Sequence, residues 1–246
     1  MTYRILIVMA VLLFSFAFKS TEELNENEKI NTISEVEATE ALTFKEEVAI
    51  TYEAFSRNSI NLPTLEVFEN GMKGYFKLEE EGVVAKKILT IVDFNLSSNK
   101  KRMWILDMEK KEVLFHTYTS HGKNTGGEFA KKFSNTLNSL QSSLGFYVTG
   151  ETYYGSNGLS LFIDGKEKGF NNNARKRYVV IHGADYATPD FIKKYGRLGR
   201  SYGCPAVPNS LAKELINTIK GESVVYIHKN SSDYLKKSPY LNYPTA

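Results

Sequence analysis

The sequence predicts a mainly β domain of the α+β class, with a mixed-sheet core, a few peripheral helices and an N-terminal helical extension. Three observations carry this. From Lys86 onward the chain breaks into seven short β-branched and aromatic runs, Ile88–Phe94, Arg102–Asp107, Val113–Thr119, Phe146–Thr149, Leu159–Ile163, Tyr178–His182 and Val224–His228. The intervals hold turn material such as Gly126-Gly127 and Asn171-Asn172-Asn173, with no helical pattern long enough for repeated βαβ crossovers, which argues against a doubly wound nucleotide-binding fold. A hydrophobic share of 42%, with 15 Tyr and 15 Phe in 246 residues, is ample for a packed core.

In chain order, residues 1–20 combine Arg4, an apolar run from Ile5 to Phe14 and small residues at Ser15 and Ala17. They read as a secretory signal, with an uncleaved N-terminal anchor as the alternative. Export to the periplasm or cell envelope is the expected location. With no cysteine near this segment, a lipoprotein anchor is excluded. Residues 21–43, rich in Glu and Asn, read as an acidic linker. Phe44, Val48, Tyr52 and Phe55 recur at helical spacing. A second helix is expected from Pro63, a favoured first-turn residue, to about Gly82, so 44–82 forms the helical extension and 83–246 the main domain. Two further helices are expected, one after Pro189 and one from Ser210 to Lys220, stopped by Gly221.

A net charge of +3 with scattered basic residues gives no footprint for nucleic acid, and any membrane contact is confined to the leader. The informative residue is the single cysteine, in the run Gly199-Arg200-Ser201-Tyr202-Gly203-Cys204-Pro205-Ala206-Val207-Pro208. A lone thiol in an exported chain has no internal disulfide partner, so nucleophilic chemistry is its leading explanation. His182, at the end of an apolar strand 22 positions earlier, is the candidate base. His121, ending another strand, is the rival base, with a turn role preferred for it. Gly203 removes a side chain where a substrate carbonyl must approach, and the N–H groups of Gly203 and Cys204 are candidate oxyanion donors; Pro205 has no N–H to offer. No His-x-x-x-His or Cys-x-x-Cys pair supplies metal-ligand spacing, so neither metal nor cofactor is expected.

His182-Gly183 followed by Ser201-Tyr202-Gly203-Cys204 resembles the signature of the YkuD-type L,D-transpeptidases. The runs beginning at His121, Ser143, Gly169 and Gly196 (HGKNTGGEFAKKFSN, SSLGFYVTGETYYG, GFNNNARKRYVVIHGADY and GRLGRSYGCPAVP) resemble the murein L,D-transpeptidase catalytic domain subgroup, over roughly residues 60 to 240. Many members carry His before the Gly-Cys and Asn or Arg two places after it; here these are Tyr202 and Ala206. The resemblance implies a β-sandwich or barrel core and a cysteine acyltransferase. In it Cys204 forms a thioester with a peptidoglycan stem peptide, releasing the terminal D-amino acid, and His182 is the general base, its tautomer fixed by a backbone carbonyl. An acceptor amine on another stem then resolves the acyl-enzyme. The alternatives are an L,D-carboxypeptidase, if water resolves it, and a non-catalytic peptidoglycan-binding module. The candidate substrate contacts are Arg200, Ser201, Tyr202 and Tyr154. For Arg175, Arg177 and Arg197 a solvated surface role is preferred.

Overall fold

The computed structural model describes residues 42–59 and 61–243; the expected leader and nearly all of the expected linker lie outside them. Eight strands form one sheet: β1 (Ile88–Asp93), β2 (Met103–Asp107), β3 (Glu112–Thr117), β4 (Gly145–Gly155), β5 (Gly158–Gly165), β6 (Val180–Ala184), β7 (Ala206–Pro208) and β8 (Val224–His228). Their spatial order is β3-β2-β1-β8-β4-β5-β6-β7. Neighbours are antiparallel except β1 with β8 and β6 with β7, so the sheet is mixed, as its sequence predicted. Just beyond β3, Ser120 bridges Ala206 of β7, its N–H donating to the Ala206 carbonyl at 2.8 Å. This brings the two ends of the order together and makes the sheet nearly a closed barrel.

Among the described residues, five α-helices accompany the sheet: α1 (Phe44–Asn58), α2 (Leu65–Glu80), α3 (Pro189–Tyr195), α4 (Asn209–Ile219) and α5 (Ser232–Lys237). Thr43 opens α1 through a capping box with Glu46, and Thr64 caps α2 directly after Pro63. Along α4, Ala212, Leu215, Ile216 and Ile219 are buried at i, i+3, i+4 and i+7, the spacing that seats one stripe on a sheet. Helices α1 and α2 share one apolar cluster with β1, β2, β4 and β8.

Helix α2 meets the sheet through Gly71 and Gly74. A Cβ at Gly74 would lie 2.1 Å from the Phe146 ring, which itself stacks on Tyr226 at 4.3 Å. Gly74→Ala gains about 1 kcal/mol of helix propensity, yet overpacking a core costs about 1–3 kcal/mol, and the contact here is with a ring held on its other face. The expected result is a net loss of stability and a lower melting temperature, measurable by thermal unfolding.

A buried carboxylate ties the C-terminal segment to the sheet. Glu167 accepts hydrogen bonds from the Phe146 N–H at 2.7 Å, the Tyr234 hydroxyl at 2.9 Å and the Ser238 hydroxyl. Burial pushes its pKa up, and these donors oppose that rise.

Candidate active site

Strands β6 and β7 run parallel with His182 opposite Ala206, which sets Cys204 level with Val180. Side chains two apart on a strand share a face, so Val180 and His182 point to the same side and the thiol lies beside that face. The Cys204 Sγ lies 3.5 Å from the Val180 N–H and 3.4 Å from the Tyr178 carbonyl, which accepts its proton. The expected strand from Tyr178 starts two residues later, because Tyr178 has φ +52°, a left-handed conformation no strand residue adopts.

Thiol and imidazole line one cleft of about 540 Å³, with Tyr153, Ser156, Asn157, Arg177, Tyr178 and Tyr186 among its walls. His182 is nearly buried, and its Nδ1 sits 2.8 Å from the Gly183 carbonyl. A carbonyl only accepts, so Nδ1 carries the proton and Nε2 keeps a free lone pair. Burial lowers the His182 pKa, with the Gly183 carbonyl opposing it. Burial also raises the Cys204 pKa, opposed by the Val180 N–H and the nearby Arg177 charge. At neutral pH both groups are therefore uncharged: a thiol beside an imidazole, not a thiolate–imidazolium pair.

The loop that carries Cys204 is held by its own short hydrogen bonds. Ser201 Oγ accepts from the Gly203 N–H at 3.0 Å and donates to the Cys204 carbonyl at 2.7 Å. The Gly203 N–H, expected as an oxyanion donor, is thus already engaged by Ser201, and a donor so held is not free for substrate. Among the described residues the Cys204 N–H has no partner. Gly203 has φ +130°, and a Cβ there would lie 2.8 Å from the Gln141 carbonyl, so the loop requires glycine at this position. Gly199 packs against Tyr186, whose carbonyl accepts the Gly199 N–H at 2.8 Å.

The other expected residues fall as follows. Arg200 lines the cleft and uses Nη1 on the carbonyls of Lys123 and Gly126, at 3.2 and 3.1 Å. Tyr202 lines it too, 71% exposed, with the Lys123 ammonium 4.9 Å from its ring. Ser201 borders the cleft but is buried, with its hydroxyl committed inside the loop. Tyr154 is not in the cleft wall: it is 79% exposed, and its neighbour Tyr153 is there instead, because adjacent strand residues face opposite sides. His121 is no rival base, being engaged by Arg102 at Nδ1 (2.9 Å) and facing the Gly126 carbonyl with Nε2, its pKa lowered to about 3 by burial and by Arg102. Arg175 pairs with Glu151 and Asp164 away from the cleft. Arg177 departs from its expected surface role: half-buried, it donates to the carbonyls of Ser134 (2.7 Å) and Gln141 (2.5 Å) and stands in the cleft wall.

The L,D-transpeptidase catalytic domain model (YkuD_2) matches residues 61–228, well over half of the chain. The chain belongs to that family. The match takes in α2 and all eight strands. Among solved structures, an L,D-transpeptidase from Mycobacterium smegmatis is similar at 13% identity over 58% of this chain and 59% of its own (TM-score 0.36). One from Enterococcus faecium shares 19% identity over 58% and 50% (TM-score 0.35). One from Stackebrandtia nassauensis shares 14% over 76% and 80% (TM-score 0.35). The chain therefore spans 59% and 50% of the first two. No curated protein matches the chain with significance.

In this L,D-transpeptidase domain the uncharged resting pair has a direct readout. Iodoacetamide reacts with thiolate, so alkylation of Cys204 is expected to be no faster than that of a model thiol at pH 7 and to keep climbing past pH 9, the ordinary thiol value, when followed by intact mass. Slow alkylation at neutral pH consequently does not distinguish an enzyme from a binding module. Among the described residues no cluster of His, Cys, Asp and Glu fits a metal ion, and no helix is long and apolar enough to cross a membrane.

Proposed function

We propose that the chain is a cell-envelope L,D-transpeptidase acting through a Cys204 thioester. The observation that carries this reading is the cleft shared by Cys204, on the loop that leads into β7, and a Nδ1-protonated His182 on the neighbouring parallel strand β6 of a family domain. The substrate is a peptidoglycan stem peptide, and the reacting carbonyl is that of the L-centre residue before the terminal D-amino acid.

In the first half-reaction Sγ adds to that carbonyl while its proton moves to Nε2 of His182. The carbonyl oxygen takes up the negative charge, and the unpartnered Cys204 N–H is the loop donor available to it. Collapse breaks the C–N bond, and the departing D-amino acid takes the proton from Nε2 as its amine. In the second half-reaction an acceptor amine adds to the thioester and gives Nε2 a proton. Sγ then leaves and recovers that proton as the thiol. Thiol and imidazole supply every proton movement.

Stem peptides are rich in carboxylates. Arg200 keeps Nε and Nη2 without partners among the described residues and is the cation fitted to receive one; Arg177 has both Nη atoms engaged in the loop. Tyr202, Tyr153 and Tyr178 supply flat walls for the peptide. Export would bring the domain to this substrate.

The test is mass spectrometry of residues 21–246 incubated with tetrapeptide-stem muropeptides. Loss of the terminal D-amino acid together with a new cross-linked dimer is the expected result. Loss without dimer would make the protein an L,D-carboxypeptidase, and no change relative to a Cys204→Ala control would make it a binding module.

A further inference from the structure

The peptide unit between Gly203 and Cys204 is held from outside the loop by one buried hydroxyl. Ser142 is 1% exposed. Its Oγ donates to the Gly203 carbonyl at 3.0 Å and accepts the Gly122 N–H at 3.0 Å, so its one proton and one lone pair are both placed. Its own N–H donates to Thr125 Oγ1 at 2.7 Å. Position 122 has room only for glycine, because a Cβ there would meet the Leu140 carbonyl at 2.5 Å and Gly203 Cα at 3.0 Å. Behind Gly122, His121 is fixed by Arg102, a wholly buried guanidinium that also donates to the Thr119 and Leu96 carbonyls.

The Gly203 carbonyl and the Cys204 N–H belong to one planar trans peptide and point in opposite directions. A hydrogen bond that fixes the carbonyl therefore fixes the N–H. It also polarises the amide, which strengthens the N–H as a donor. We propose that Ser142 is the positioning residue of the oxyanion site: through the Gly203 carbonyl it orients the Cys204 N–H toward the substrate oxygen that gains charge when Sγ adds to a carbonyl. This rests on the assignment of Cys204 as an acylated nucleophile. Ser142 itself touches neither substrate nor thiol.

The test compares two reactions of the same thiol. Acylation of Cys204 by p-nitrophenyl acetate, or by a tetrapeptide stem, passes through an oxyanion; alkylation by iodoacetamide is a direct displacement that forms none. In Ser142→Ala the acylation rate is expected to fall by at least about tenfold, part of the hundredfold or more that loss of an oxyanion donor costs. The alkylation rate is expected to stay within about twofold of the parent, since nothing in the displacement draws on the oriented N–H. Ser142→Thr, which keeps the hydroxyl and adds no second thiol, should retain most of the acylation rate, and Ser142→Gly takes the place of the alanine variant if that chain does not fold. Equal losses in both reactions, or unchanged acylation, would overturn the proposal. If p-nitrophenyl acetate acylates Cys204 and stems do not, the peptidoglycan reading fails while the Ser142 comparison is still read from the ester.

Discussion

Cys204→Ala is expected to abolish acylation and leave the fold intact. Among the described residues the thiol makes two polar contacts, at 3.5 Å to the Val180 N–H of β6 and at 3.4 Å to the Tyr178 carbonyl before it. The loop around it is shaped by other groups: the Ser201 hydroxyl, the left-handed Gly203 and the Ser142 clamp. Removing one sulfur thus takes away the nucleophile without removing a support, and thermal unfolding should shift little. Intact-mass analysis after exposure to a stem peptide should show no adduct, against one acyl group on the parent. Cys204→Ser should be equally silent. A hydroxyl holds its proton far more tightly than a thiol, and His182, with its pKa lowered by burial, is too weak a base to remove it.

Replacing His182 has the next largest effect. His182→Ala is expected to slow acylation by at least about a hundredfold, the scale of one positioned acid–base group. His182→Asn, nearer in volume, should behave alike, which separates loss of the base from the cavity that alanine leaves. The pH profile supplies a second signature. Acylation needs neutral His182, so in the parent the rate should rise with pH through the histidine pKa, which lies below the ordinary 6.5. Activity then persists further into acid than an unperturbed histidine would allow, and this acid limb should vanish in both variants. A loss smaller than tenfold would remove His182 as the base, and the geometry leaves His121 unable to replace it, since Arg102 occupies its Nδ1.

Most of the sheet was legible because its strands are short β-branched runs. β1, β2 and β8 lie within a residue of their expected bounds. Two elements were not. β7 is three residues, Ala206–Pro208, preceded by Pro205 and ending on Pro208, and prolines ordinarily argue against a strand; its parallel pairing with β6 makes it one. β4 runs on to Gly155 through Gly150 and Glu151, where the register shifts between Thr149 and Thr152, so the alternation that marks a strand is interrupted. That bulge decides the groove wall: it sets which of the adjacent Tyr153 and Tyr154 faces the cleft, and no spacing rule resolves that. That Cys204 and His182 come to one cleft was readable from residue type and local context. Arg177 stood only five residues before His182, but its burial depends on carbonyls at Ser134 and Gln141, some forty positions away. Ser142 gave no signal at all, because a serine clamping a glycine carbonyl 61 residues away looks like any other serine until the chain is folded.

The barrel's closing bridge bears on how the molecule loses activity. His182 of β6 lies opposite Ala206 of β7, two residues after Cys204, and this seam is held by three residue pairs and the Ser120–Ala206 bridge, whereas β1, β2, β8 and β4 are joined by longer ladders through the apolar core. Proteins open in units whose free energies follow such differences in bonding and burial. With three pairs, as few as any ladder in the sheet, the β6–β7 seam is the one that places the proposed nucleophile near the proposed base. On the proposed function, a molecule whose seam has parted is expected to keep most of its sheet and helices yet turn over no substrate, so that turnover would report the state of three residues of β7 and an unfolding curve read by overall secondary structure a different, later event.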